Sequence, residues 1–308
     1  MNSNDIKNII TLGRLHLTSV TLLFYTFGSL LAVVGGKTFN FGAFLLGLFI
    51  SITAILSMSY SNNYFDAEAD RYNKPTQYSG GSTGLLENMR VYNLLKPIAL
   101  IFMGVSIVLS IVFMMLYSYA IEILLLVVAG NLLSWFYAAP PLKFAYRGLG
   151  EIVTVIVCGI LLPGFGYFVI ARTFDLLFIA FCVPIALYLT IFIINAEIPD
   201  HVSDKKGKKN NIIIRKSPSF GLMIAGICGF AALFYSILLS FSNANFYPVD
   251  FRIIGLISLI QLSFVIVSLI PSATRRFGQI KLVTSNITSV LIGLVLNNLY
   301  LFYVVLTK

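Results

Sequence analysis

Residues 41–70 read FGAFLLGLFISITAILSMSYSNNYFDAEAD, an apolar run that ends in a short acidic cluster. Residues 41–61 carry no charged side chain and are long enough to cross the hydrocarbon core of a membrane, which takes about 20 helical residues. Asp66, Glu68 and Asp70 follow at once. Ionisable groups beside hydrocarbon are costly to desolvate and mark functional sites by default. The stretch therefore predicts a membrane-spanning helix with a functional site at its end.

The composition extends this prediction to the whole chain. Of the 308 residues, 58% are hydrophobic and 11% are charged, whereas soluble domains carry about a quarter charged residues. We predict an all-α polytopic membrane protein, one integral-membrane domain over residues 1–308, with nine transmembrane helices in a bundle around a central cavity. Acidic clusters after the second and sixth spans indicate two pseudo-repeated halves. The apolar stretches lie at about 16–35, 41–61, 98–117, 121–138, 149–171, 175–195, 218–241, 251–271 and 283–306.

The Lys and Arg residues alternate between connecting segments in a way that predicts an orientation. Segments 1–15, 62–97, 139–148, 196–217 and 272–282, with their flanking ends, hold 17 of the 21 basic residues. The positive-inside rule places these segments in the cytoplasm. We expect a multi-pass protein of the cell membrane, with the N-terminus and both acidic clusters cytoplasmic and the C-terminus outside. The basic residues that set this orientation or contact anionic membrane lipid also account for the net charge of +9, so no nucleic-acid partner is expected.

A second acidic cluster, NAEIPDHVSD, follows the sixth apolar stretch and ends at Asp204. Asp200 and Asp204 repeat the spacing of Asp66 and Asp70, which places such pairs on one face of a helix. Four aspartates brought together would repel one another unless a cation lay between them. Mg²⁺, held through oxygen and shared with a phosphate-bearing substrate, is the expected cation. Ordinary surface acids at solvated helix ends are the alternative.

Basic side chains crowd the same face and are candidates for binding phosphate oxygens. Lys143 ends the segment YAAPPLK, whose two prolines would stiffen the loop and aim the side chain back over the bundle. Topology signals and contacts with anionic lipid are the alternative explanation for many of these cations.

These segments resemble the UbiA superfamily of intramembrane prenyltransferases. The resemblance is carried by 62–70 followed by RYNKP, by 200–204 followed by KKGK, and by the YAAPPLK loop with RGLGE after it. It implies a prenyltransferase in which acidic residues hold Mg²⁺ against a polyprenyl diphosphate and nearby cations neutralise that diphosphate. The implied Mg²⁺ ligands are Asn62, Asp66, Asp70, Asp200 and Asp204. Asp66, Asp200 and Lys143 are the implied catalytic residues, and Arg71, Lys74, Lys208, Arg14 and Tyr137 are the implied substrate-binding residues.

The acceptor is inferred from finer features of the same resemblance. The Gly80-Gly81 pair and the segment Asn195–Asp200 are closest to naphthoate prenyltransferases of menaquinone biosynthesis, whereas Lys209-Asn210 replaces the basic–Thr pair of many relatives. We expect transfer to 1,4-dihydroxy-2-naphthoate or a similar hydroxy-aromatic acid. An ether-lipid (glycerol-phosphate) prenyltransferase and a terpene cyclase are the enzyme alternatives. A cation-coupled transporter is the alternative from another class, and it predicts acids near mid-membrane rather than at helix ends.

Overall fold

The structure is a computed structural model that describes residues 3–72, 84–242, 246, 248–270 and 278–308, without the side chains of residues 16 and 17. Within these ranges all regular structure is helical, which confirms the all-α class. Two short 3₁₀ turns, Leu85–Glu87 and Phe144–Tyr146, accompany the α-helices. The α-helices are α1 Ser3–Leu12, α2 Leu15–Val34, α3 Phe41–Phe65, α4 Ala67–Asp70, α5 Met89–Tyr117, α6 Glu122–Ala138, α7 Gly150–Thr154, α8 Leu162–Ala171, α9 Leu176–Glu197, α10 His201–Lys206, α11 Ile212–Arg215, α12 Pro218–Ser240, α13 Phe251–Leu269 and α14 Gln279–Thr307.

Seven helices in the described ranges are long and apolar enough to cross a membrane: α3, α5, the continuous helix Gly150–Ala171, α9, α12, α13 and α14. Two shorter apolar helices, Thr18–Val34 and Glu122–Ala138, coincide with the other two predicted spans. The chain is therefore a polytopic helical membrane protein, and the count of nine spans stays a prediction. α5 begins at Met89, earlier than the predicted apolar stretch 98–117, because the Asn88 side chain caps this helix by accepting a hydrogen bond from Val91 N at 3.2 Å.

The helices form a bundle in which the last long helix packs on the first. α14 contacts α2 and α9, and α12 contacts α9 and α13. On the other side, α3 packs against α5 and α6, and α2 packs against α8. The α2–α8 approach is close because glycines face backbone there. A Cβ on Gly28 or Gly166 would overlap the carbonyl oxygens of Pro163 and Tyr25.

α7 and α8 are the two ends of one helix, joined by the π-helical stretch Val155–Leu161. Short π-helical stretches inside α-helices occur frequently at functional sites. In this protein the stretch places Val157 and Cys158 in the wall of the cavity described below.

A buried polar network holds α9 just before its acidic end. Asn286 Nδ2 in α14 donates to Asn195 Oδ1 in α9 at 2.8 Å and lies 3.0 Å from Ser268 Oγ in α13. Asn195 and Asn286 are fully buried, and buried amides are stable only when they are hydrogen-bonded. The network therefore ties the end of α9 to two further helices and fixes where the second acidic cluster begins.

Candidate active site

The first acidic cluster continues the backbone spiral of α3. Asp66 N donates to Asn62 O at 2.9 Å, and Asp70 N donates to Asp66 O at 2.8 Å, so helical hydrogen bonding runs through the bend into α4. Asn62, Asp66 and Asp70 thus follow one another by single turns, as their spacing predicted. Asp66 and Asp70 are only 6% and 4% exposed, which does not fit surface acids on a solvated helix end.

The second acidic cluster has the same construction. α9 ends at Glu197, and Asp204 N donates to Asp200 O at 2.8 Å as α10 begins. Asp200 and Asp204 are buried too. Both clusters are therefore helix ends that carry carboxylates withdrawn from water, one in each half of the chain.

Gly207, directly after α10, brings the two clusters into contact. A Cβ on this residue would stand 2.5 Å from Ala69 Cβ and 2.9 Å from Ala69 Cα in α4. The backbone of Gly207 has φ −74°, a value open to any residue, so glycine is required here for space and not for conformation. The predicted meeting of two distant acidic segments is present in the structure.

Lys209 lies between the clusters. Its Nζ is 3.1 Å from Asp66 Oδ2, 3.6 Å from Asp204 Oδ1 and 4.0 Å from Asp70 Oδ1. One ammonium thus joins three carboxylates from both segments. Lys209 is not among the site residues predicted from the sequence, because the four lysines of residues 205–209 give no signal for which one turns inward.

The turn after α10 decides the direction of that side chain. Lys208 takes a left-handed conformation with φ 62°, and Lys209 N donates to Asp204 O at 3.0 Å. Asn210 N donates to Ala145 O at 3.1 Å, which anchors the turn to the segment after α6. Lys209 therefore points inward, whereas Lys208 is exposed.

Two further side chains orient the carboxylates from outside. Tyr146 Oη donates to Asp66 Oδ1 at 2.7 Å, and Asn211 Nδ2 donates to Asp204 Oδ2 at 3.1 Å. Neither residue was predicted from the sequence, because each reaches its aspartate through a turn whose geometry cannot be read from residue spacing. Partners of this kind fix the rotamers of metal-binding or catalytic carboxylates.

Burial and mutual repulsion disturb the ionisation of the cluster. Burial, opposed by the Lys209 ammonium, raises the pKa of Asp70 to about 6. Burial likewise raises the pKa of Asp204, and Lys209 again opposes the change. Burial alone would lower the pKa of Lys209, but Asp66, Asp204 and Asp70 together outweigh it and hold that pKa well above its usual value. Lys209 is therefore a permanent cation at neutral pH.

The clusters lie at a cavity of about 250 Å³ between α3, α6, α7 and α9. Its inner wall is apolar and includes Met58, Val157 and Phe192, and its acidic end contains Lys209 and Glu197. Seven of the predicted site residues line this one cavity: Arg14, Asn62, Asp66, Asp70, Tyr137, Asp200 and Asp204.

Three other predicted site residues are described by the structure, and none of them lines the cavity. Arg71 is largely exposed and pairs with Glu68 at 3.3 Å. Lys143 Nζ lies 5.2 Å from the centre of the Tyr146 ring, so it is next to the site without lining the cavity. Lys208 is exposed at the rim, and Lys74 is outside the described residues. Their roles as diphosphate contacts stay predictions.

The oxygen-rich side chains suit Mg²⁺, which prefers carboxylate and carbonyl oxygens. Among the described residues, Asn62 Oδ1 and Glu197 Oε2 are buried without a hydrogen-bond partner, and both residues line the cavity. Buried polar atoms are seldom left unpaired, so these two oxygens fit a cation or a donor group of a ligand. Across the described ranges, no three acidic, Cys or His side chains already stand in metal-binding geometry. Here the carboxylates surround an ammonium instead.

The fold and the site define a class: an integral membrane protein whose two acidic helix ends meet over a cavity with a polar mouth and an apolar interior. The sequence model of the UbiA prenyltransferase family matches residues 21–283, and the chain belongs to that family. The resemblance inferred from the motifs is confirmed, and with it the prediction of a prenyltransferase. No curated protein matches the chain.

Solved structures with the same fold include several UbiA homologues. One from Archaeoglobus fulgidus, bound to DMAPP and Mg²⁺, has a TM-score of 0.68 at 13% identity and covers 96% of this chain and 99% of its own. A digeranylgeranylglyceryl phosphate synthase has a TM-score of 0.63 at 17% identity, covering 99% of this chain and 100% of its own. An apo homologue from Aeropyrum pernix K1 has a TM-score of 0.62 at 16% identity, covering 90% and 96%. These likenesses establish the shared fold.

Proposed function

We propose that the protein catalyses Mg²⁺-dependent transfer of a polyprenyl group from polyprenyl diphosphate to a hydroxy-aromatic acid in quinone biosynthesis. The expected acceptor is 1,4-dihydroxy-2-naphthoate or a close analogue. The observation that carries the proposal is the convergence of Asp66, Asp70, Asp200 and Asp204 on one cavity. The A. fulgidus homologue, solved with DMAPP and Mg²⁺, supports a prenyl diphosphate and Mg²⁺ as the ligands of such a site.

The proposal assigns the acidic end of the cavity to the metal and the diphosphate. Asn62, Asp66 and Asp70 on one segment and Asp200 and Asp204 on the other would hold Mg²⁺ through oxygen. Arg14 lines the same end and supplies a fixed positive charge for phosphate oxygens. Tyr146, through its hydrogen bond to Asp66 Oδ1, keeps that carboxylate in one orientation.

The apolar end of the cavity suits the hydrocarbon tail. A smaller cavity of about 60 Å³ shares Ser134 and Val157 with the first and continues towards α8. Its wall is almost entirely apolar and includes Ile50, Leu126 and Phe165. A polyprenyl chain anchored by its diphosphate at the acidic clusters would extend in this direction, in contact with apolar side chains.

The reaction follows from this arrangement of charges. Bound Mg²⁺ would supply positive charge that stabilises the departing diphosphate. The C–O bond of the donor breaks with its electron pair on the diphosphate, and the allylic cation left behind is enclosed by apolar side chains that exclude water. An electron-rich ring carbon of the acceptor then forms the new C–C bond, and the ring proton passes to the departed diphosphate, which restores aromaticity. The chain's own residues bind, orient and enclose the reactants.

The Glu197 carboxyl supports an acceptor that carries a hydroxyl. Glu197 lies one helical turn before Asp200, is 9% exposed, and its Oε2 in the cavity wall has no hydrogen-bond partner among the residues that the structure describes. An acceptor hydroxyl could donate to this oxygen, whereas a hydrocarbon tail could not. An acceptor with a hydroxyl group, such as the proposed hydroxy-aromatic acid, would therefore satisfy a group that the hydrocarbon tail leaves unpaired.

The proposed orientation places the acidic clusters at the cytoplasmic face of the cell membrane. The support is the charge distribution of the sequence, with 17 of 21 basic residues in alternating segments. Cysteine labelling of exposed positions on either side, with a reagent that does not cross membranes, tests this arrangement.

The activity is tested with the purified protein in lipid nanodiscs. Labelled geranylgeranyl diphosphate and Mg²⁺ are supplied with 1,4-dihydroxy-2-naphthoate, 4-hydroxybenzoate or a glycerol-phosphate prenyl ether in parallel reactions. We expect prenylated naphthoate, dependence on Mg²⁺, and loss of product in Asp66→Asn. Glu122→Gln, an exposed carboxylate at the far end of α6, is the matched control and should retain activity. Product only with the glycerol-phosphate ether, or a cyclised product without any acceptor, would overturn the aromatic assignment.

A further inference from the structure

Lys209 is a cation that the proposed metal site already contains. Its ammonium contacts carboxylates of both acidic clusters, 3.1 Å from Asp66, 3.6 Å from Asp204 and 4.0 Å from Asp70. The side chain is only 17% exposed, and the three carboxylates are buried. Lys209 therefore occupies the space between the clusters and is not a surface ion pair.

An ammonium and Mg²⁺ place different demands on these carboxylates. Mg²⁺ binds oxygen at about 2.0–2.1 Å with near-octahedral geometry. The ammonium holds carboxylates of both clusters at hydrogen-bonding and ion-pairing distances, 3.1 Å from Asp66 and 3.6 Å from Asp204. The metal would have to enter the same oxygen cluster that Lys209 holds, so the two cations compete for it.

Displacing Lys209 requires a second anion. A buried ammonium removed from its carboxylates is strongly unfavourable unless it finds another partner. The diphosphate of the proposed substrate is such a partner, because it would lie beside the metal and carries several acceptor oxygens. The four-carbon stem of lysine allows its ammonium to change partners without a backbone movement.

We propose that Lys209 is a stand-in cation that blocks tight Mg²⁺ binding in the free enzyme and transfers to the diphosphate when metal and substrate enter together. This rests on the proposed function, since it assumes a diphosphate at the same cavity. Lys209 keeps the two clusters together before the ligands arrive. Its transfer makes metal and diphosphate binding strongly cooperative.

The hypothesis differs from a simple electrostatic effect of Lys209. A lysine that stays in place would weaken metal binding by the same factor with and without diphosphate, so its removal would leave the coupling between the two ligands unchanged. A lysine that transfers to the diphosphate weakens metal binding only in the free enzyme. Once transferred, it stabilises the complex of enzyme, metal and diphosphate. Removing such a lysine therefore increases the metal affinity of the free enzyme and reduces the coupling between metal and diphosphate binding. This coupling is reciprocal for the two ligands.

The test measures Mn²⁺ binding by electron paramagnetic resonance, with and without inorganic pyrophosphate, in the full chain in nanodiscs. For Lys209→Met we expect Mn²⁺ affinity without pyrophosphate to rise at least tenfold and the pyrophosphate enhancement to fall at least tenfold. Lys205→Met removes an equal charge from an exposed position on α10 and should change neither quantity more than twofold. The proposal is overturned if Lys209→Met binds Mn²⁺ no tighter than wild type, or if the enhancement is unchanged.

A second variant and a second measurement guard against a folding defect. Lys209→Gln keeps a hydrogen-bond donor near the carboxylates while removing the charge, and it should show the same pattern. Thermal unfolding gives an independent readout: without divalent metal Lys209→Met should unfold at a lower temperature than wild type, and saturating Mg²⁺ should remove most of the difference. An equal difference with and without Mg²⁺ would contradict competition for one site.

Failure of this inference is distinguishable from failure of the proposed function. The same wild-type preparation is assayed for diphosphate release from geranylgeranyl diphosphate in the presence of 1,4-dihydroxy-2-naphthoate, and the prenylated product is measured alongside. Absence of that release overturns the proposed function. If release is observed and wild type binds Mn²⁺ equally well with and without pyrophosphate, the prenyltransferase assignment stands and the stand-in role of Lys209 is wrong.

Discussion

Gly207→Ala tests whether direct contact between the two acidic clusters is needed for activity. The added carbon would stand 2.5 Å from Ala69 Cβ and 2.9 Å from Ala69 Cα. Non-bonded carbons rest about 3.5–4.0 Å apart, so α10 would have to move roughly 1 Å away from α4. Neither neighbouring atom is the end of a flexible side chain, so a rotamer change cannot remove the overlap.

The displacement separates groups that must act together. Metal ligands tolerate deviations of only about 0.2 Å, and a misplacement of about 1 Å at a reacting centre reduces rates by about 100-fold. We therefore expect about a 100-fold loss of Mg²⁺-dependent diphosphate release. Where no overlap exists, a Gly→Ala change stabilises a folded protein by about 0.4–1 kcal/mol, so steric and entropic effects have opposite signs here.

The assay compares the rate of diphosphate release and the Mn²⁺ affinity of wild type and Gly207→Ala in nanodiscs. Gly104→Ala is the matched control, because a Cβ at Gly104 in α5 would have no atom within 4 Å. The control should keep the wild-type rate and metal affinity. A Gly207→Ala protein that is as active as wild type and more stable would refute the close approach of α10 and α4.

Three further predictions concern the same cavity. Tyr146→Phe removes the hydrogen bond to Asp66 Oδ1. Because hydrogen bonds to charged groups contribute about 1.5–3 kcal/mol, Mn²⁺ affinity should fall roughly 10- to 100-fold. A change below twofold would exclude an orienting role for Tyr146. Asp66→Ala and Asp200→Ala should each abolish Mg²⁺-dependent diphosphate release in a protein that still inserts and folds; full turnover in either variant would make the metal assignment wrong. Mn²⁺ affinity should fall about tenfold from pH 7 to pH 5, because protons compete with the metal for Asp70. The raised pKa of about 6 leaves Asp70 mostly ionised at pH 7 and mostly protonated at pH 5. Equal affinity at both pH values would contradict a role for Asp70 as a ligand.

The sequence allowed prediction of those features that depend on regular periodicity. Apolar runs predicted the helical membrane class, and the four-residue spacing of Asn62, Asp66 and Asp70 predicted single helical turns, which the backbone hydrogen bonds confirm. The paired clusters also predicted that two distant segments would meet. Each of these inferences needs only local geometry and the principle that buried charge requires a partner.

The identity of the central cation could not be predicted in this way. Lys208 and Lys209 are adjacent and chemically equal, yet one is exposed and the other contacts three carboxylates. The difference comes from a left-handed residue at 208 and from the hydrogen bond of Asn210 N to Ala145 O, which connects segments far apart in sequence. Tyr146 reaches Asp66 through the same segment. The tertiary contacts of individual turns determine which way such side chains point.

The energetics of the cluster argue that it is retained for function. Replacing a buried ion-pair network by apolar side chains of similar volume is often neutral or stabilising, so stability alone does not explain three buried carboxylates around one ammonium. The charges do not balance either, since the described lining of the cavity holds four aspartates and only two cations, Lys209 and Arg14. Burial raises the pKa of Asp70 to about 6, and Lys209 and Arg14 offset this only in part. Within the part of the chain that the structure describes, Asn62 and Glu197 also leave oxygens unpaired beside an apolar cavity. A site with surplus negative charge and free acceptor oxygens is better suited to bind further cations than to stabilise the fold, and we expect this surplus charge to attract the metal to the helix ends.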